Sequence, residues 1–156
     1  MSDHVWCPRN NFRVMETIIL DSSVWISYFG KDCHLALAEQ LLAQIESEKL
    51  KIMIPTIVYG EIINNLSRID PTHQLTNIAE MTLKKKNFRF INPNKKFWFN
   101  KIRQYAEIVQ LKTMDLAILA IAFEFKADQL YSFDVRLQKA YYQLKRSYEE
   151  TKEKDC

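Results

Sequence analysis

The sequence predicts a single α/β domain, a three-layer α/β/α sandwich in which helices cover both faces of a mostly parallel sheet. Short β-branched runs alternate with longer helical patterns, which is the arrangement that builds parallel sheets. The 156 residues match about one domain, long enough to bury a hydrophobic core. With only 2 glycines and 4 prolines, the chain lacks the many tight turns of an all-β sandwich or barrel.

The first half of the chain is predicted to contain two strands and four helices. Residues 17–20 form an unbroken β-branched and aliphatic run, as expected of a strand that is covered on both faces. Prolines 55 and 71 mark the ends of the second strand and of the helix after it. The predicted elements are a strand at 17–20, helices from 21 or 22 and through 35–45, a strand at 51–54, and helices at 57–69 and 71–83.

The second half repeats the alternation and predicts the most buried helix of the domain. This helix spans residues 114–125, which are apolar almost all round. The other elements are a strand at 88–91, a helix with Trp98, Ile102, Tyr105 and Val109 on one face, a strand at 129–133 and a helix at 135–148. Residues 1–14 lack periodicity and are interpreted as an extension of unknown role before a domain at 15–148. Residues 149–156 are expected to be a charged, frayed tail.

Composition excludes several classes of protein. Hydrophobic residues make up 47% of the chain, too many for a disordered protein. Three cysteines without a CxxC pair indicate free thiols in the cytoplasm, and the scattered histidines give no zinc-site spacing. There is no apolar segment suited to a signal peptide, and the longest apolar run, 116–123, is too short to span a membrane. We therefore expect a soluble cytoplasmic protein.

Four acidic residues fall where a parallel sheet binds its ligands, at the carboxyl ends of the strands. Asp21 and Asp134 end the first and fourth strands, Glu61 lies one turn into the helix after the second strand, and Asp115 lies in the first turn of the buried helix. Each also has an ordinary explanation. The first two could be helix N-caps, Asp115 could complement a helix dipole after a Thr113 cap, and Glu61 could be a solvated helix residue.

Convergence of the four carboxylates would require a counter-charge. Like charges at one site repel and drive each other to protonate. No lysine or arginine lies beside Asp21, Glu61 or Asp115 in sequence, and Arg136, near Asp134, is the only candidate counter-charge. A hard divalent cation, Mg²⁺ or Mn²⁺, would resolve the conflict because it takes oxygen ligands and retains water. Such ions activate water and stabilise the attacking and leaving oxygens of a phosphodiester.

Four sequence blocks resemble the PIN-domain family, and more narrowly its stand-alone VapC-type toxins. They are IILDSSVWI at 18–26, PTIVYGEI at 55–62, MDLAILA at 114–120 and YSFDVRL at 131–137. The resemblance implies a ribonuclease that depends on Mg²⁺ or Mn²⁺, held inactive by a small antitoxin protein and often homodimeric. It also implies a catalytic, metal-binding set of acids, here called the acidic quartet: Asp21, Glu61, Asp115 and Asp134. Supporting positions are implied at Ser22, Ser23 and Ser132. The family's short fifth strand has no apolar run here, so four to five strands are expected.

A basic stretch at 84–103, interleaved with aromatic residues, is a weaker candidate for RNA contact. Basic side chains attract a phosphate backbone, and exposed aromatic rings can stack on bases. The alternative is a solvated face over core aromatics. The candidate RNA-binding residues are Lys84, Lys85, Lys86, Lys95, Lys96 and, outside the stretch, Arg136.

The sequence thus predicts a divalent-metal-dependent endoribonuclease, the toxin of a type II toxin–antitoxin pair. A housekeeping PIN-type RNA-processing nuclease and a catalytically inactive RNA- or protein-binding module of the same fold stay open as alternatives. A phosphatase is disfavoured because Ser23 stands where haloacid-dehalogenase-like enzymes need a second aspartate. A nucleotide-binding protein is disfavoured because the sequence contains no phosphate-binding loop motif.

Overall fold

A computed structural model describes residues 16–85 and 87–154 of the chain. Strands and helices alternate as predicted. The extension predicted at 1–14 and Lys86 lie outside the described residues. The elements are β1 Thr17–Leu20, α1 Ser22–Gly30, α2 Leu35–Ser47, β2 Lys51–Pro55, α3 Thr56–Ile69, α4 Gln74–Leu83, β3 Phe88–Ile91, a π-helical turn Phe97–Lys101, α5 Ile102–Ile108, α6 Thr113–Glu124, β4 Gln129–Tyr131 and α7 Val135–Lys154.

The four strands form one parallel sheet in the order β3-β2-β1-β4. Ile18 of β1 pairs with Ile52 of β2 on one side and with Gln129 of β4 on the other. The chain proceeds from β1 through β2 to β3 and then returns to the far side of β1, so the strand order reverses between β1 and β4. A crevice forms at the carboxyl ends of strands at such a point. Residues 16–85 and 87–154 contain no fifth strand.

Helices cover both faces of the sheet, which confirms the predicted three-layer sandwich. Helix α1 packs against α2, α3 and α4, whereas α6 packs against α5 and α7. Right-handed crossovers produce this division, because the connections that lead from β1 to β3 and the connection that returns to β4 run in opposite directions. The central strand β1 is buried from Ile18 to Leu20 as predicted.

Helix α6 is the most buried helix, as its sequence predicts. Every residue from Leu116 to Ala122 is buried, so the helix has no solvated face along those two turns. It contacts α3, α5, α7 and β4. None of the helices in the described ranges combines the length and the hydrophobicity that a membrane span needs.

The predicted helix face at Trp98, Ile102, Tyr105 and Val109 is only partly correct. The helix opens with a π-helical turn, in which the amide of Ile102 bonds the carbonyl of Phe97 five residues earlier. This wider turn changes the residues that face inward. Phe97 is consequently buried and Trp98 is partly exposed, whereas Tyr105 is buried as expected.

Two boundaries near the C-terminus also differ from the prediction. Strand β4 ends at Tyr131 and not at residue 133, because the next amide, that of Ser132, donates to the Gln138 side chain and not to a neighbouring strand. Helix α7 continues to Lys154, six residues beyond its predicted end, so residues 149–154 are helical and not a frayed tail. They are exposed but include strong helix formers, glutamate and lysine, which explains the extension.

Candidate active site

Asp21 lies at the corner between β1 and α1, where its carboxylate is only 3% exposed. It occupies the N-cap position of α1, yet its side chain accepts no hydrogen bond from that helix's backbone. Instead Oδ2 accepts hydrogen bonds from the hydroxyls of Ser23, at 2.8 Å, and Ser132, at 2.7 Å. The N-cap explanation of this residue is therefore wrong. Among the described residues, the side-chain groups that hold this buried carboxylate in place are neutral hydroxyls.

Glu61 is directed from α3 toward Asp21. The Ser22 hydroxyl donates to Glu61 Oε2 at 2.6 Å and lies 3.4 Å from Asp21 Oδ1. One buried hydroxyl thus joins two carboxylates that are 40 positions apart in sequence. Glu61 is half-buried, so the interpretation as a freely solvated helix residue is not supported.

Asp134 does act as a helix cap. Its Oδ1 accepts hydrogen bonds from the amides of Arg136, at 2.9 Å, and Leu137, at 3.1 Å, in the first turn of α7. Its own amide donates to the Ser132 hydroxyl at 2.9 Å, and that hydroxyl in turn donates to Asp21. Ser132 therefore connects the corner at β4 to the corner at β1. The capping bonds use one carboxylate oxygen of Asp134, whose side chain is otherwise exposed.

Gln138 is a supporting residue that the sequence did not indicate. Its Oε1 accepts from the amide of Ser132 at 2.7 Å, and its Nε2 donates to the carbonyl of Leu130 at 3.0 Å. The side chain thereby closes the corner that presents Ser132 to Asp21. A glutamine on a helix has no sequence signature for this role, so only the structure could reveal it.

Asp115 experiences the charge of all three other quartet members. Its pKa is raised from 3.8 to about 6, chiefly because burial disfavours the charged form and then because of the charges of Asp134, Asp21 and Glu61. Lys112, just before α6, partly offsets the rise. The predicted Thr113 cap is absent, since the N-cap position belongs to Lys112 and no side chain caps this helix. The other three acids therefore lie within electrostatic range of Asp115.

The quartet has no ion-paired cation in the part of the chain that the structure describes. Within the described residues, no lysine, arginine or histidine forms an ion pair with any of the four acids within 4.0 Å. Arg136, the counter-charge that the sequence suggested, forms no such pair. It lines a cleft of about 930 Å³ together with Lys112, Asp115 and Asp134. The cleft is open to water, and both acidic and basic side chains line its rim.

The quartet offers a hard, all-oxygen donor set. Among residues 16–85 and 87–154, no three of its carboxylates place oxygens within 4.8 Å of one another, so the cluster is open. Mg²⁺ fits such a cluster because it keeps several waters and takes only one or two carboxylates directly, and Mn²⁺ suits the same oxygen ligands. The open geometry, and the absence of an ion-paired counter-charge among the described residues, both fit a hydrated divalent ion.

The candidate RNA-binding lysines lie at two different edges of the sheet. Lys84 and Lys85 precede β3, at the amino ends of the strands and away from the quartet, and Lys84 pairs with Glu80. Lys95 and Lys96 follow β3 and so lie beyond the carboxyl ends of the strands, like the quartet. The stretch is therefore not one continuous basic surface.

The aromatic rings of the same stretch are also divided. Phe97 belongs to the core, whereas Phe99 is 71% exposed, with the Lys95 ammonium 5.7 Å from its ring centroid. Phe99 is thus a ring that remains free for stacking on a base.

A model described as PIN domain matches residues 18–142, most of the chain and all four quartet positions. The chain belongs to the PIN-domain family. PIN domains are typically ribonucleases and generally use divalent metals. A comparison with curated protein sequences gave no match.

Two solved structures share this PIN fold. VapC20 of Mycobacterium tuberculosis, a toxin that cleaves the sarcin-ricin loop, is 20% identical with a TM-score of 0.65, covering 79% of this chain and 94% of that one. VapBC2 of Rickettsia felis, bound to a DNA fragment from its promoter, is 18% identical with a TM-score of 0.62, covering 79% and 92%. At such identities the likeness concerns the fold alone.

Proposed function

We propose that the protein is an endoribonuclease in which Asp21, Glu61, Asp115 and Asp134 hold Mg²⁺ or Mn²⁺. The observation that carries the proposal is the network of serine hydroxyls that joins the buried Asp21 to Glu61 and to the Asp134 corner. Among the described residues, no cation forms an ion pair with these acids within 4.0 Å, and burial together with the other three carboxylates raises the pKa of Asp115. Such an arrangement is costly unless a cation neutralises it. Membership of the PIN-domain family supports the same chemistry.

A bound ion would activate water and stabilise the charge that develops on a phosphodiester during hydrolysis. The residues of the chain would prepare the site for that ion. The hydroxyls of Ser22, Ser23 and Ser132 orient Asp21 and Glu61 before the ion binds. Lys112 and Arg136, at the rim of the cleft, would attract the RNA backbone without neutralising the quartet.

Within this class we infer a toxin of a type II toxin–antitoxin pair, with a small antitoxin as partner and a homodimer as its assembly. Support for the toxin and its antitoxin comes from the two structural neighbours, a toxin and a VapBC complex. The homodimer rests on the resemblance to VapC-type toxins alone. A housekeeping RNA-processing nuclease is the alternative. A short reading frame next to the gene, whose product co-purifies with this chain and inhibits cleavage, would favour the toxin. An inactive binding module is disfavoured because all four acids are present and Asp115 lies within electrostatic range of the other three.

Cleavage of a fluorescently labelled RNA tests the activity. Asp21→Asn and Asp115→Asn should each lower the rate more than about 100-fold, since even supporting residues of metal sites cost 10- to 100-fold. Glu150→Gln, a change at an exposed acid on α7, is the matched control and should keep full activity. Undiminished cleavage by both quartet variants in metal-free buffer would contradict the proposal.

A further inference from the structure

The turn between α1 and α2 brings together three different metal-ligand types. Asp32, Cys33 and His34 are consecutive, and their carboxylate oxygen, sulfur and ring nitrogen all lie within 4.8 Å of one another. All three side chains are exposed. No zinc site was predicted for this chain because its cysteines and histidines are not spaced as zinc-ligand pairs. Three adjacent residues nevertheless bring their ligand atoms together here, because the turn directs all three side chains to one side.

The distances within this cluster are close to those of a tetrahedral zinc site. Cys33 Sγ lies 3.4 Å from His34 Nδ1, and His34 Nδ1 lies 4.0 Å from Asp32 Oδ1. Zinc–sulfur and zinc–nitrogen bonds of ordinary length place sulfur and nitrogen about 3.6 Å apart in a tetrahedron, and nitrogen and oxygen about 3.3 Å apart. Shifts of less than about 1 Å in exposed side chains would bring these two distances to tetrahedral values, and the Cys33 sulfur already lies within 4.8 Å of the Asp32 carboxylate.

Hydrogen bonds and stacking hold two of the three ligands in position. Asp32 Oδ2 accepts from the hydroxyl of Ser27, a residue that is only 3% exposed, at 2.9 Å. Asp32 Oδ1 accepts from the amide of His34 at 2.8 Å. The His34 ring stacks on Phe133 with the centroids 5.3 Å apart. A carboxylate oxygen has more than one lone pair, so these bonds leave Asp32 able to bind a metal.

We propose that Asp32, Cys33 and His34 form a second metal site, which binds Zn²⁺ or a similar borderline ion and is separate from the acidic quartet. The donor sets distinguish the two sites. A thiolate and an imidazole favour Zn²⁺, Co²⁺, Ni²⁺ or Cu²⁺, whereas an all-oxygen cluster favours Mg²⁺ and Mn²⁺. Three protein ligands on an exposed turn leave the fourth position to water.

Cobalt is the probe for this site because a cobalt–thiolate bond gives a charge-transfer band that carboxylates cannot produce. The experiment uses the full chain with Cys7→Ser and Cys156→Ser, which leaves Cys33 as the sole thiol, in excess Mg²⁺ to occupy the quartet. Titration with Co²⁺ should give this band at one equivalent per chain, and Zn²⁺ should abolish it. Absence of the band, with the chain folded by circular dichroism, would overturn the proposal.

Single substitutions in that background assign the ligands. Cys33→Ser should remove the band. His34→Phe keeps an aromatic ring against Phe133 and should weaken Zn²⁺ binding at least about 10-fold, measured in competition with a zinc indicator. His73→Asn is the matched control at an exposed histidine outside the cluster and should change nothing. Asp21→Asn should also leave Zn²⁺ binding unchanged. Equal Zn²⁺ affinity of the His34→Phe and His73→Asn variants would contradict the site.

Discussion

The corners at β1–α1 and β4–α7 share a sequence pattern but use their aspartates differently. In each, an aspartate follows a strand and precedes a helix, the usual position of an N-cap. Asp134 caps its helix and is exposed, whereas Asp21 is buried and accepts hydroxyl donors. The difference arises because the hydroxyls of Ser23, on α1, and Ser132, in the corner after β4, both donate to Asp21. Local pattern locates an acid at the sheet edge, but contacts between distant segments determine its role.

Ser132 is the residue that makes the two corners one site. Its hydroxyl donates to Asp21 and accepts from the Asp134 amide, so Ser132→Ala should loosen both aspartates at once. We expect a loss of 10- to 100-fold in Mn²⁺ affinity and in RNA cleavage. Ser147→Ala, on the exposed surface of α7, is the control and should behave as wild type. Wild-type metal affinity in Ser132→Ala would show that the link is irrelevant to the site.

Substitution of the two aspartates should separate capping from charge. Asp134→Ala removes a helix cap and should lower the free energy of unfolding by about 1 kcal/mol, whereas Asp134→Asn keeps a capping side chain and should lower it by less than about 0.5 kcal/mol. Asp21→Asn should not lower the free energy of unfolding through loss of a cap, because Asp21 does not cap α1. Urea denaturation of the metal-free chain measures these differences. Equal destabilisation by Asp134→Ala and Asp134→Asn would contradict the capping role.

The raised pKa of Asp115 predicts that the metal-free protein becomes less stable as the pH rises. A carboxyl that holds its proton more tightly when folded stabilises the fold at low pH, and this contribution is lost as pH rises from about 4 to about 6. Asp115→Asn should therefore be more stable than wild type by about 1 kcal/mol at pH 7.5, after allowance for solvent screening. The advantage should shrink toward pH 4.5. Thermal melts at both values test this, and a pH-independent difference would contradict the shift.

Much of the fold could be predicted because periodicity reports burial directly. The unbroken apolar strand β1 and the all-round apolar helix α6 are both buried as expected. The π-helical turn at Phe97 could not be predicted, since one extra residue in a turn changes no pattern of composition. The length of α7 was underestimated because a solvated polar helix and a frayed tail have similar sequences.

The position of the four acids at the sheet edge could be predicted, whereas the groups that hydrogen-bond to them could not. Strand ends and spacing located Asp21 and Asp134, but the bond from Gln138 depends on the bend after β4. The basic stretch was misleading for a similar reason. A strand rises about 3.3 Å per residue, so β3 carries Lys85 and Lys95 to opposite edges of the sheet.

Calorimetric titration of the chain with Mn²⁺ at pH 7.5 tests the central claim most directly. If the four carboxylates share an ion, wild type and Glu150→Gln should bind Mn²⁺ alike, and Asp21→Asn should bind at least about 10-fold more weakly. Binding should also release a proton from Asp115 when the titration is repeated at pH 6. Mn²⁺ affinity in Asp21→Asn equal to that of wild type would contradict the account.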